Sequence, residues 1–150
     1  MRLSLLGAAL VCGLAASPVS AAPRPKAVAA PSEAATAAAL ISAYRQAYGL
    51  GAVVVDPRLN QAADYQARVN AASGGISHGD FHGRVRAFGI RGTAAENLAA
   101  GTGTVADTVA MWKASSGHNA NMLIPEIRRI GLARAFGAGY GNYWTLVVSQ

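Results

Sequence analysis

The stretch AENLAAGTGTVADTVAMWKASSGHNANML, residues 95–123, decides how this chain folds. AENLAA alternates weakly between small and large apolar residues and stops at Gly101, the pattern of a short strand that ends in a turn. Thr104 can cap a helix, Asp107 falls in its first turn, and Val105, Val109 and Trp112 then recur on one side. A strand feeding a helix through GTGTVA has the spacing of a dinucleotide fingerprint, yet the rest of the chain does not alternate strand and helix as that fold requires.

Downstream, RIGLARAFG at 129–137 and YWTLVVS at 143–149 carry the β-branched and aromatic residues of strands. GYGN between them predicts a hairpin turn. Met122, Leu123 and Ile124 are read as core, and Asn119 and Asn121 as side chains that tie loop backbone together.

Upstream, Asp56 and Pro57 supply an N-cap and a pre-set first turn. Leu59, Ala62, Ala63, Gln66, Ala67 and Val69 continue that helix toward Gly74, with small residues that let another layer approach closely. Before it, Ser32 caps a helix bearing Leu40, Ile41, Tyr44 and Tyr48, closed by Gly49 and Gly51. The order is helix, helix, short helix, strand, helix and C-terminal hairpin. It predicts an α+β fold, a three-layer α-β-α sandwich with an antiparallel C-terminal hairpin, rather than a parallel βαβ array.

The short helix lies in SHGDFHGRVRAF, residues 77–88. His78 and His82 have the i, i+4 spacing by which a helix offers two metal ligands, but Gly79 stands where a protease would carry its glutamate. Asp80 is instead the N-cap, Phe81, Val85 and Phe88 the inward face, and His82 a solvent-side residue. Arg84, Arg86 and Arg91 are expected to decorate this helix and its exit, one of them pairing with Asp80 or Glu96.

A chain of 150 residues bounds the molecule to one domain. Residues 1–21 read as a secretory signal peptide: Arg2, an apolar core, then small residues before the cleavage point. The only cysteine, Cys12, falls inside that segment, so the exported chain has no thiol or disulfide chemistry. Residues 22–37, rich in proline and alanine, are assigned to a linker, and 38–150 to the folded domain. The net charge of +6 is spread without a dense basic run, which argues against nucleic-acid binding. No segment after the signal peptide is apolar enough to span a membrane.

Five motifs now stand in one order: SHGDF, AENLAAG, the tryptophan of MWKASSGHNANML, IPEIRRIGLA and YWTLVVS. Together they resemble the CAP superfamily of cysteine-rich secretory, antigen 5 and pathogenesis-related 1 proteins, in its secreted bacterial branch. The resemblance implies the same α-β-α sandwich with a surface cleft, where some members bind zinc or another divalent ion. It places His78, Glu96 and His118 in that cleft, with Ser115 where animal and plant members carry a second glutamate. Ser115, Asn97 and Asn121 are then binding residues, and His78 and His118 metal-ligand candidates. The histidine of the animal and plant C-terminal strand motif would fall on Tyr143.

Two readings of the imidazoles follow. They hold a divalent metal such as zinc with Glu96 as third ligand, or they hydrogen-bond Glu96 and backbone groups to lock the loops together. The locking reading is preferred. The expected protein is a monomeric, secreted or periplasmic binding module for an envelope or extracellular ligand, a lipid, glycan or peptide. The alternative is a zinc-assisted, peptidase-like hydrolase, and a third reading is cell-wall adhesion through basic charge. A serine hydrolase built on SSGHNA is disfavoured, because no aspartate nearby would orient His118.

Overall fold

The computed structural model describes residues 30–150. The signal peptide assigned to residues 1–21 lies outside the described residues. Helix α1 spans Glu33–Gln46, capped by the Ser32 hydroxyl accepting from the Ala35 N–H. It begins within the stretch assigned to the linker, 22–37, and Ala34 and Ala37 are already buried. Tyr48 lies beyond the helix end and is exposed, so the inward face runs through Ala34, Ala37, Ala38, Ile41 and Arg45 instead.

Strand β1 (Val54–Val55) leads into helix α2 (Pro57–Ser73), which starts at Asp56 with proline in its first turn and stops at Gly74 in the left-handed region. Helix α3 covers Phe81–Ala87 and strand β2 Ala94–Ala100. Helix α4 follows at Val105–Ala114, then α5 at Ser116–Met122, and the hairpin of β3 (Arg129–Gly137) and β4 (Gly141–Ser149) closes the chain. The sequence pattern misses β1 and α5. Two residues are too few for a periodic signal, and SGHNANM is held helical by contacts from elsewhere.

The sheet order is β1-β3-β4-β2, with β1 parallel to β3 and the other pairs antiparallel. Helices α1 and α4 cover one face around Ile41, Trp112, Ile130, Trp144 and Leu146. Helix α2 and α3 cover the other, around Leu59, Ala62, Ala63, Val85 and Val147. Both tryptophans are fully buried, as large aromatics in a core should be.

Close approach of α2 to β3 follows from small side chains on α2 and glycines on β3. Alanines line the helix, and a Cβ at Gly131 would fall 2.1 Å from the Leu59 carbonyl carbon. At Gly137 it would fall 2.2 Å from the Ala71 carbonyl oxygen. The outer edge of β2 is closed by side chains: the Trp112 indole N–H donates to the Leu98 carbonyl at 3.0 Å, and the Asn121 amide to that of Glu96 at 3.2 Å. These bonds occupy two of the edge carbonyls that would otherwise be open to another strand.

Candidate functional site

Glu96 sits in β2 between the helical layers, its side chain 1% exposed. A buried carboxylate must be paired, and this one has two partners. Oε1 is 2.8 Å from the His78 ring Nδ1, and Oε2 accepts from the Arg84 guanidinium. Since the carboxylate only accepts, the Nδ1 contact requires a proton there and leaves Nε2 as the free ring nitrogen. His78 itself is 56% exposed, so the pair joins a buried anion to a surface imidazole.

Arg84 meets the expectation that one of these arginines pairs with Glu96 and corrects the expectation that it decorates the helix surface. Its side chain is 5% exposed, and it donates to Gln66 of α2, to the His78 carbonyl at 3.2 Å and to Glu96. The Gln66 amide donates in turn to Asn70 Oδ1 at 3.1 Å and to the Ser77 carbonyl. One guanidinium thus binds α2, α3, β2 and the loop carrying His78. Reading Arg84 from the pattern fails because it stands one position before Val85 on a seven-residue helix, where inward and outward faces are barely distinct.

The other expected residues lie at the β2 edge and on α5. Asn97 donates to the His118 carbonyl at 2.9 Å, and Asn121 donates to Asn97 Oδ1 at 2.9 Å as well as to the Glu96 backbone. These asparagines tie α5 to β2. Asn119 Oδ1 accepts from the Tyr44 hydroxyl at 2.7 Å, anchoring the same helix to α1. Ser115 occupies the N-cap position of α5 with no side-chain cap bond. His118 is half-buried, and burial together with the nearby His78 holds its pKa below the ordinary imidazole value. His82 is exposed, and Asp80 caps α3 by accepting from the Gly83 N–H at 2.8 Å.

Tyr143, onto which the animal and plant strand histidine would fall, is buried, and its hydroxyl donates to the Ala138 carbonyl. It closes the hairpin turn. Arg45 was not singled out by the sequence pattern, yet it is fully buried in α1 and donates to the carbonyls of Gly51, Met122, Ile124 and Ile127. It satisfies the irregular backbone after α5, which packing alone would leave unpaired.

The donor set bears directly on a metal. Among the described residues no group of three or more His, Cys, Asp or Glu side chains is arranged to hold an ion. Both Glu96 oxygens already serve His78 and Arg84. The residues present therefore do not fit the three-ligand site of His78, Glu96 and His118.

Beside the Arg84 hub, a hollow of about 480 Å³ lies between α2 and α3, and an open depression of about 840 Å³ along α2 adjoins it, the two sharing Tyr65, Val69 and Phe88. Gln66 and Arg84 line the smaller one. Tyr65 and Val69 are 55% and 43% exposed, so these apolar side chains of α2 stand open to solvent beside the hollows.

This architecture, two helical layers on a mixed sheet with a histidine-glutamate pair between α3 and β2, defines an α-β-α sandwich with a surface groove. The model of the cysteine-rich secretory protein family, CAP, matches residues 38–148, and the chain belongs to that family. The fold is similar to an outer surface protein of Borrelia burgdorferi, with a TM-score of 0.67 and 19% identity over 75% of this chain and 87% of that one. It is also similar to an extracellular SCP-domain protein of Bacillus anthracis, with a TM-score of 0.68 and 18% identity over 79% of this chain. A cysteine-rich secretory protein of Staphylococcus aureus gives 0.63 and 16% over 75%. The chain spans only 40% and 36% of the Bacillus and Staphylococcus proteins. No protein of curated function matches it by sequence.

Proposed function

We propose that the protein is an exported, non-enzymatic binding module whose α2–α3 groove takes the apolar portion of an envelope or extracellular ligand. The carrying observation is the groove itself: Tyr65, Val69 and Phe88 line a concave apolar surface, and the polar groups at its floor, Gln66 and Arg84, are already bonded to protein. Apolar walls with a few fixed polar groups describe a binding site. In this reading Glu96 is a structural acceptor, since a carboxylate engaged by a guanidinium and an imidazole is poorly placed to take a proton from substrate. Export rests on the N-terminal segment, and the similar bacterial proteins are described as extracellular or outer-surface. Among the described residues no helix is long and apolar enough to cross a membrane.

The test is displacement of a fluorescent acyl probe from the purified chain by extracted envelope lipids, repeated with Val69→Asp. Saturable binding lost in the variant is expected. The hydrolase reading predicts something else: turnover on a peptide and ester panel with added zinc that disappears in His78→Ala and Glu96→Ala. Such turnover would overturn the non-enzymatic reading.

A further inference from the structure

A second recess opens away from the groove, where the start of α2, the 89–92 loop after α3 and the ends of β3 and β4 meet. Its volume is about 470 Å³, and its polar lining includes Asp56, Arg58, Arg91, Arg129 and Ser149. The guanidiniums of Arg58 and Arg129 lie near the Asp56 carboxylate, and Arg91 adds a third positive charge to the lining. Like charges gathered in one recess repel, so the arrangement is favourable only when something offsets them.

Asp56 is fully engaged. Its Oδ1 accepts from the N–H groups of Arg58 at 2.8 Å and Leu59 at 3.4 Å, and Oδ2 lies 3.4 Å from Arg129 and 3.7 Å from Arg58. Burial pushes its carboxyl up, but those N–H donors and the two guanidiniums outweigh burial and hold it below the usual carboxylate range. It therefore stays ionised as the helix cap. Arg129 turns Nε and Nη2 to the Gln150 main-chain oxygen, which fixes that side chain in place. Arg91 is exposed and makes no side-chain hydrogen bond or ion pair among the described residues, and Arg58 has only the long contact to Asp56. Two guanidiniums with donors unpaired by hydrogen bonds among the described residues thus share the recess with a third that is held by main-chain oxygen.

We propose that this recess binds a phosphoryl oxyanion, with Arg58 and Arg91 clamping its oxygens and Arg129 supplying fixed positive charge. Guanidinium forks match the oxygen spacing of a phosphate group and pair with it bidentately. The same chemistry is offered by free phosphate and by a phospholipid headgroup. The site is separate from the α2–α3 groove, and its success or failure does not depend on what the groove takes.

Inorganic phosphate titrated into the full chain at constant ionic strength, followed by amide shifts of Ile90, Arg91 and Gly92, should show saturable binding. Arg91→Ala and Arg58→Ala should each weaken it about fivefold, as expected for loss of one partly screened charge pair. Both side chains are exposed, so the variants should melt with the parent. Sedimentation with phosphatidylglycerol vesicles, weakened in Arg91→Ala and competed by phosphate, would assign the headgroup as the source. Phosphate binding without vesicle binding would assign the free ion. Shifts reproduced by chloride at equal ionic strength, or unchanged in Arg91→Ala, overturn the proposal.

Discussion

Arg84 of α3 and Glu96 of β2 form an ion pair whose side chains are 5% and 1% exposed, so the charges joining two layers of the sandwich are removed from water together. Breaking such a pair from one side leaves the other charge buried alone. Arg84→Met and Glu96→Gln should each lower stability by about 3 kcal/mol. Thermal melting should register each as a fall of roughly 10 °C. The double variant should lose clearly less than the sum of the two, because no lone charge remains. A melting temperature within error of the parent for Glu96→Gln would mean that its carboxylate contributes nothing to the fold.

His118 makes stability depend on pH. Its pKa in the folded chain lies below the ordinary 6.5, first because burial penalises the imidazolium and second because His78 is near. Below about pH 6.5 the unfolded chain therefore binds more protons at this position, and stability rises with pH through that window and levels off above it. His118→Gln should flatten this part of the profile in denaturant titrations at several pH values. An unchanged slope would place the acid sensitivity elsewhere.

Gly131 should tolerate no side chain. A Cβ there would overlap the backbone of Leu59 and Asn60 at 2.1 and 2.2 Å, and α2 would have to move off the sheet. Gly131→Ala is expected to destabilise by about 3 kcal/mol. Gly117 is the control: it lies within α5 and a Cβ there meets nothing within 4 Å. Gly117→Ala should be stabilising by about 0.5 to 1 kcal/mol. Equal effects at the two positions would contradict the close α2–β3 contact.

Zinc should bind weakly or not at all. With Glu96 engaged, His78 and His118 alone do not make the ligand set of an open zinc site. Calorimetry with zinc in the tens of micromolar should give no heat above buffer, and a chelator should leave the melting temperature unchanged. Stoichiometric binding lost in His78→Ala would show that Glu96 gives up its pair to a metal.

Much of the architecture was written in local pattern. The caps at Ser32, Asp56, Asp80 and Thr104 are all used as their positions in the chain predict. The apolar spacing on α4 buries Val105, Val109 and Trp112, and the two β-branched runs pair as a hairpin in which Leu132 lies opposite Leu146. Such features depend on neighbours within a few residues, so they survive reading one segment at a time. The motif order was equally legible as a resemblance, and it pointed to the family that the match over residues 38–148 shows.

The candidate site depended on distant partners. His78 and Glu96 were matched as a pair from motif order, but which atoms meet, and that Arg84 occupies the second carboxylate oxygen, was decided only when α3 packed against β2. Arg45 and Arg84 look like solvent residues in the sequence, because charge alone predicts exposure. Each is buried because folding gathers polar groups from three or four separate segments around it, and those hydrogen bonds compensate its desolvation. The sequence by itself determined the helices and strands other than β1 and α5, and their order. Tertiary structure decided which charges face inward, since burial of an ion is settled by partners that lie far along the chain.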